Sequence, residues 1–151
     1  HVKVFSSTLL DIPVDGLEEI FKVTDRKLCL AINDLGFLAD PLCMKSHIDK
    51  LKELGVSIAI DQVGSGFSSL ESIFLLEPQY LRLDKSLTKK CESGEQHQLF
   101  LKNLVKLAAQ ISAKTIAEGI ESPDHLRIMA GCGIDYGQGL FWGMPVALGD
   151  K

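Results

Sequence analysis

Residues 59–70 read Ala-Ile-Asp-Gln-Val-Gly-Ser-Gly-Phe-Ser-Ser-Leu, and this stretch decides the fold class. An apolar, β-prone run ends at Asp61, a glycine-rich turn follows, and a helical pattern extends over residues 68–76. A strand, a turn and a helix in succession are typical of one β/α unit. Similar units recur before and after this stretch, so the chain is predicted to be an α/β protein built on a mostly parallel sheet.

The repeated units can be placed along the chain by the change from short β-prone runs to longer helical patterns. The predicted strands are residues 2–6, 28–33, 57–61, 80–84, 115–118 and 135–138. The predicted helices are residues 40–55, 68–76, 97–112 and 122–133. Asp40-Pro41 and Ser122-Pro123 each provide an N-cap residue followed by a first-turn proline, which fixes the start of two of these helices.

Composition restricts the class of protein. The chain has 151 residues, of which 46% are hydrophobic and 24% charged, so we predict a single globular domain over residues 1–151. The net charge is −4 and the lysines and arginines are scattered, which argues against a nucleic-acid-binding surface. A protein or a small molecule is the expected partner.

The cysteines and the apolar runs indicate the cellular compartment. Cys29, Cys43, Cys91 and Cys132 are far apart and form no C-x-x-C pair, which argues against a zinc site and against a disulfide framework. No apolar run reaches the ~18 residues that span a bilayer, and the first residues lack a signal-peptide pattern. We therefore expect a cytoplasmic protein without membrane insertion. Because the chain opens within a predicted strand, we also expect it to be a fragment of a longer protein.

Polar side chains recur at the carboxyl ends of the predicted strands. They are Asn33 and Asp34, Asp61 and Gln62, Arg82 and Asp84, Glu118 and Glu121, and Gln138. In a β/α barrel these strand ends meet on one face, and that face holds the active site in barrel enzymes. Any chemistry of this chain is expected there.

Five segments in order resemble the EAL family of bacterial cyclic di-GMP phosphodiesterases. They are Leu-Ala-Ile-Asn-Asp at 30–34, the stretch 59–70, Leu-Arg-Leu-Asp at 81–84, Ala-Glu-Gly-Ile-Glu at 117–121 and Gln-Gly at 138–139. Each match alone is weak, but five in the family's order disfavour the alternative of an unrelated β/α domain with coincidental motifs.

The resemblance implies a partial TIM-like (β/α) barrel, because the family fold is a modified (β/α)₈ barrel. The six predicted strands resemble the third to the eighth strands of that barrel. The Glu-Ala-Leu motif of the family lies on an early strand and is not found in this chain.

The resemblance also implies a two-metal site, of which this chain keeps little. Such a site needs a bridging carboxylate and further oxygen ligands to hold two cations about 3.5–4 Å apart. The matching ligands are Asp61 and Glu118, whereas ligands are lost at Ala31, at Gln62, and at the family's asparagine position on Lys3 or Val4. We therefore expect no metal and no other cofactor.

Three further family positions bear on catalysis and ligand binding. Arg82 occupies the position of the family's lysine, and a planar guanidinium is not a conservative replacement for a compact ammonium. Glu121 and Gln138 match the family pattern. We expect no catalytic residue; Asp61, Glu118 and Glu121 are remnants of the catalytic set. Any residual ligand binding is expected at Asp61, Glu118, Glu121 and Gln138.

These losses lead to the functional hypothesis. The chain is expected to be a catalytically inactive EAL-like domain of cyclic di-GMP signalling that acts as a protein-interaction or regulatory module, through a protein partner or self-association. A degenerate cyclic di-GMP receptor is the second form of this hypothesis. The alternative is a phosphodiesterase that depends on Mg²⁺ or Mn²⁺ and whose N-terminal half lies outside this chain.

Other polar residues receive structural interpretations. Asp34 is expected to orient the glycine-rich turn, and Ser68 is expected to cap the helix that follows it. His47, His97 and His125 have no cysteine or carboxylate at ligand spacing, so they are predicted to be surface residues. Phe141 and Trp142 are predicted to be packing groups.

Overall fold

The computed structural model describes residues 1–11, 28–33, 41–65 and 70–146, which form alternating strands and helices. The strands are β1 (Val2–Phe5), β2 (Cys29–Asn33), β3 (Ser57–Val63), β4 (Tyr80–Leu83), β5 (Lys114–Glu118) and β6 (Tyr136–Gln138). The helices are α1 (Ser6–Asp11), α2 (Pro41–Glu53), α3 (Leu70–Leu76), α4 (Lys85–Glu92), α5 (Glu95–Gln110) and α6 (Pro123–Gly131), and a 3₁₀ turn (Leu140–Trp142) follows β6. The roles expected of Asp34 and Ser68 fall outside the described residues.

The six strands form one parallel sheet in the order β1-β2-β3-β4-β5-β6. Strands that follow one another in the chain are therefore neighbours in the sheet, as expected for successive β/α units. In the part of the chain that the structure describes, no further strand pairs with the outer edge of β1 or of β6. The α/β class and the partial barrel predicted from the sequence are confirmed.

The outward face of the sheet packs against the helices and forms the main core. Its largest buried side chains come from alternate positions of the central strands and from the facing sides of the helices. Examples are Ile58 and Ile60 on β3, Leu81 and Leu83 on β4, Ile48 and Leu51 on α2, and Leu101 on α5. Burying such side chains contributes about 1.5–3 kcal/mol each, so this face supplies most of the stability of the sheet.

The inward face is different, because small and polar residues replace the large aliphatic ones. Cys29, Ala31 and Ala59 form a small cluster against which Tyr80 packs. Further along the same strands, at their carboxyl ends, this face carries Asp61 and Arg82, which are 2% and 4% exposed. Charged groups are seldom so buried without partners. Their partners define the candidate site.

Two short helices were not anticipated from the sequence. Helix α4 buries Leu87, Thr88 and Cys91, so its apolar stripe is too narrow to stand out. Helix α1 begins at Ser6, a residue predicted to end the first strand. The other boundaries differ by one to a few residues, and β3 continues beyond Asp61 to Val63.

The end of β4 also differs from its prediction. The strand ends at Leu83, and Asp84 is instead the N-cap of α4, where its carboxylate accepts a hydrogen bond of 2.8 Å from the Ser86 amide. Burial raises the pKa of Asp84, but the bonds from Ser86 and the charges of Lys85 and Lys90 together hold the pKa below its usual value. Among the described helices, none is long and apolar enough to cross a membrane.

Candidate functional site

Asp61 is the most buried carboxylate of the inward face. It lies in β3 next to an irregularity in the pairing with β4, where the register shifts between Ile60 and Val63. Its Oδ1 atom accepts a hydrogen bond of 3.1 Å from the backbone amide of Gln62. Gln62 has a φ of 56°, a left-handed conformation that costs a non-glycine residue about 1–3 kcal/mol. The chain thus bends sharply just after the carboxylate.

Two cationic side chains lie against Asp61. The Lys3 ammonium from β1 is 2.9 Å from Oδ2, although outside hydrogen-bonding angles, so this contact is an ion pair without a directional hydrogen bond. The Arg82 Nε atom from β4 is 3.4 Å from Oδ1. The Lys3 side chain is 55% exposed and can move away, whereas Arg82 is fixed by burial.

Arg82 also binds the strands on its other side. Its Nε atom donates a hydrogen bond of 3.0 Å to Oε1 of Glu118 on β5, and Nη2 contacts the same oxygen. Nη2 donates to Oε1 of Gln138 on β6 at 3.2 Å, and Nη1 lies 3.3 Å from Nδ1 of His1. One guanidinium therefore joins side chains from β3, β5 and β6.

The two family-matched metal ligands consequently face cations of the protein itself. Lys3 and Arg82 supply two positive charges, and Asp61 and Glu118 supply two negative ones; Lys3 is also 3.9 Å from Glu118. Guanidinium and ammonium groups carry only hydrogen-bond donors, so neither can coordinate a metal. Across the described residues, no group of three or more His, Cys, Asp and Glu side chains could hold a metal ion.

One of the lost ligand positions holds a residue that cannot bind a metal. Ala31 on β2 is fully buried beside Ala59 and contributes only a methyl group. Cys29 lies one inward position earlier on the same strand. Burial raises the pKa of its thiol, against smaller lowering effects of the N-terminal ammonium and Arg82. These residues do not fit the two-metal centre of the family.

Glu118 and Glu121 belong to a turn that connects β5 to α6. The Thr88 hydroxyl donates to the Glu118 carbonyl at 2.7 Å, and the Ile120 amide donates to the Gln138 carbonyl at 3.1 Å. Next to this turn is an open cavity of about 340 Å³. Its lining includes Glu121, Gln138, Met144 and Pro145. The cavity is distinct from the ion pairs around Arg82, although Gln138 takes part in both.

His125 contradicts its prediction as a surface residue. It is 5% exposed, and its Nε2 atom lies 2.7 Å from Oε1 of Glu92 at the end of α4. Sequence spacing missed this pair because the two residues belong to different helices. His47 is partly buried, and burial lowers its pKa with a smaller effect of Lys50 in the same direction. His97 is exposed, as predicted.

The family model described as EAL domain matches residues 14–145. The chain belongs to the EAL domain family. Its resemblance to that family, first apparent in the five ordered segments, is thus confirmed.

Curated relatives of this EAL domain include cyclic di-GMP phosphodiesterases. The chain is 32% identical over 120 residues to cyclic di-GMP phosphodiesterase PdeA of Borreliella burgdorferi, covering 80% of this chain and 18% of PdeA. It is 29% identical over 119 residues to probable cyclic di-GMP phosphodiesterase PdeB of Escherichia coli, covering 79% of this chain and 22% of PdeB. The chain thus spans about a fifth of the length of these relatives.

Solved EAL structures share the fold. The EAL domain of Mycobacterium smegmatis DcpA superposes with a TM-score of 0.87 at 23% identity, covering 95% of this chain and 66% of that chain. The EAL enzyme Bd1971, in its cAMP- and cyclic-di-GMP-bound form, gives a TM-score of 0.86 at 25% identity, covering 97% and 40% of the two chains. This EAL domain therefore corresponds to about two thirds of the DcpA domain.

The contrast between Arg82 and Lys3 yields a prediction for stability. Arg82→Met should lower the free energy of unfolding by about 3–5 kcal/mol, because Asp61 and Glu118 lose a buried partner. Lys3→Met removes a half-exposed ammonium and should cost about 1 kcal/mol or less. Urea unfolding of both variants measures the difference. Equal losses of unfolding free energy in the two variants would show that Arg82 stabilises the two carboxylates no more than Lys3 does.

Proposed function

We propose that this EAL domain does not hydrolyse cyclic di-GMP and acts as a protein-interaction or regulatory module in cyclic di-GMP signalling. The observation that carries the proposal is the pairing of Asp61 and Glu118 with Lys3 and Arg82. The two carboxylates that match the family's metal ligands are engaged by charges of the protein.

Electrostatics supports the absence of a metal. Opposite unit charges about 4 Å apart attract by about 4 kcal/mol at the effective dielectric near a protein surface. A divalent ion bound to Asp61 would have to displace Lys3 and would still lie beside the positive charge of Arg82. Because Arg82 is buried and bonded to three strands, it cannot move aside without breaking those contacts.

The loss of coordinating oxygen atoms supports the same conclusion. Mg²⁺ requires near-octahedral oxygen coordination, and a two-metal centre requires carboxylates on both ions. Ala31 offers no oxygen, and Gln62 offers a neutral amide where the family has a second aspartate. The alternative is an active phosphodiesterase completed by a segment outside this chain. Such an enzyme would have to bind its metals despite Ala31, Gln62 and the charge of Arg82.

A cyclic di-GMP receptor is the second candidate, and one feature favours it. The cavity of about 340 Å³ carries Glu121 and Gln138, whose side chains can accept and donate the hydrogen bonds that a purine edge requires. Bd1971 has been solved with cyclic di-GMP bound. Calorimetric titration of the chain with cyclic di-GMP separates a receptor, which releases or takes up heat on binding, from a module that acts through protein contacts alone.

The first functional prediction is the absence of turnover. Incubation of the chain with cyclic di-GMP and Mg²⁺ or Mn²⁺ should yield no linear pGpG, because the metal ligands are incomplete and paired with cations. The B. burgdorferi relative PdeA is a suitable positive control. Turnover that scales with the amount of this chain and disappears in Asp61→Ala would refute the inactive assignment.

We further propose self-association through the sheet edges. Among the described residues, no strand pairs with the outer edges of β1 and β6. Edges with unpaired backbone N–H and C=O groups readily pair with another strand. Large apolar side chains lie on or beside these edges. Val2 is 49% exposed, Phe5 58% and Tyr136 53%. A second copy could pair with both edges and cover these side chains.

Light scattering tests this proposal. The isolated chain should be a dimer or a larger assembly at micromolar concentration. Val2→Lys together with Tyr136→Lys should shift it toward the monomer, since charges on an edge strand oppose pairing. Leu42→Lys, on the exposed side of α2, is a matched control that should leave the mass unchanged. A compact monomer of the unaltered chain would rule out association through these edges.

A further inference from the structure

The turn at residues 118–122 is held through its backbone at several points. Thr88 binds the Glu118 carbonyl, and the Ile120 amide and carbonyl bind the Gln138 carbonyl and the Phe141 amide at 3.1 Å and 3.0 Å. A further bond comes from the side chain of His125. The Glu121 amide donates to Nδ1 of His125 at 3.1 Å.

These bonds determine the protonation state of His125. Nδ1 accepts a hydrogen from the Glu121 amide, so it must carry a lone pair. The ring is then neutral with its hydrogen on Nε2, and that hydrogen points to Glu92, 2.7 Å away. An imidazolium would gain charge attraction to Glu92, but its Nδ1 hydrogen would oppose the Glu121 amide. The geometry therefore requires the neutral Nε2–H tautomer.

The turn packs closely against the segment that carries Gln138. Gly139 packs so closely on the turn that an added Cβ would lie 1.9 Å from the Ile120 carbonyl oxygen. At Gly119 the backbone has a φ of +74°, and an added Cβ would lie 2.7 Å from the Lys85 side chain. With such small clearances, displacement of the turn must also displace the segment that carries Gln138.

We propose that His125 is a positioning residue for the cavity lined by Glu121 and Gln138. As the neutral Nε2–H tautomer it fixes the Glu121 backbone at one ring nitrogen and anchors the turn to α4 through Glu92 at the other. Because Ile120 binds both the Gln138 carbonyl and the Phe141 amide, the same ring fixes the spacing of the two polar groups across the cavity. The role of the cavity as a ligand site rests on the proposed function; the positioning does not.

Two substitutions of His125 test the contacts of its two ring nitrogens one at a time. Asparagine places its carbonyl oxygen close to the position of Nδ1, whereas glutamine places its amide close to the position of Nε2. His125→Asn keeps an acceptor for the Glu121 amide and loses the contact with Glu92. His125→Gln keeps a donor toward Glu92 and loses the acceptor at Nδ1. A residue with only a general packing role would not distinguish between them.

Nuclear magnetic resonance of the ¹⁵N-labelled chain provides the test. The His125 nitrogens should show the Nε2–H tautomer at neutral pH, with a scalar coupling between Nδ1 and the Glu121 amide nitrogen. Exchange of the Glu121 amide should become about tenfold faster in His125→Gln and stay within about threefold in His125→Asn. The Ile120 and Gln138 amide shifts should move in His125→Gln and change little in His125→Asn.

An Nδ1–H tautomer, an imidazolium at neutral pH, or equal Glu121 exchange in the two variants would overturn the proposal. If neither variant folds, the tautomer and the coupling of the unaltered chain decide it. The outcome is separable from the proposed function, because turnover of cyclic di-GMP would refute the inactive assignment and leave the His125 tautomer unchanged.

Discussion

The buried guanidinium of Arg82 is the interaction on which the candidate site depends. It joins Asp61, Glu118 and Gln138 from three strands, and it occupies the inward face of the sheet where the family's metal site would lie. Breaking a buried ion pair leaves an uncompensated charge, which is why such a group is hard to remove once its partners have adapted to it. The same arrangement ties together the carboxyl ends of the strands, and it is the basis of the proposal that this site holds no metal.

The two faces of the sheet have different roles: one provides stability and the other carries the candidate site. Large aliphatic side chains on the outward face pack against the helices and provide the stability, whereas the inward face carries small residues and charges. A closed barrel protects its charged interior and has no strand edges. In the described residues, β1 and β6 remain at the edges of an open sheet. The proposed self-association would therefore both pair these edges and protect the charged inward face.

Much of the fold was predictable, because the β/α alternation and the five ordered motifs report the strand order directly. The site was predictable only in part. Sequence singled out Asp61 and Glu118 as expected remnants, and the structure places both beside Arg82, a contact that the sequence could not show. Alternation along β1 places Lys3 inward, in register with Ala31, and this alternation is visible in the sequence. The pair of His125 and Glu92 joins two helices, and no local pattern reports it.

Manganese binding tests the central claim most directly. Electron paramagnetic resonance measures free hydrated Mn²⁺ during titration of the unaltered chain, and it requires neither substrate nor turnover. If Lys3 and Arg82 hold the carboxylates, the free-ion signal should rise in proportion to added Mn²⁺ up to millimolar concentration. Loss of two equivalents of signal per chain at micromolar Mn²⁺, abolished by Asp61→Asn, would contradict the account.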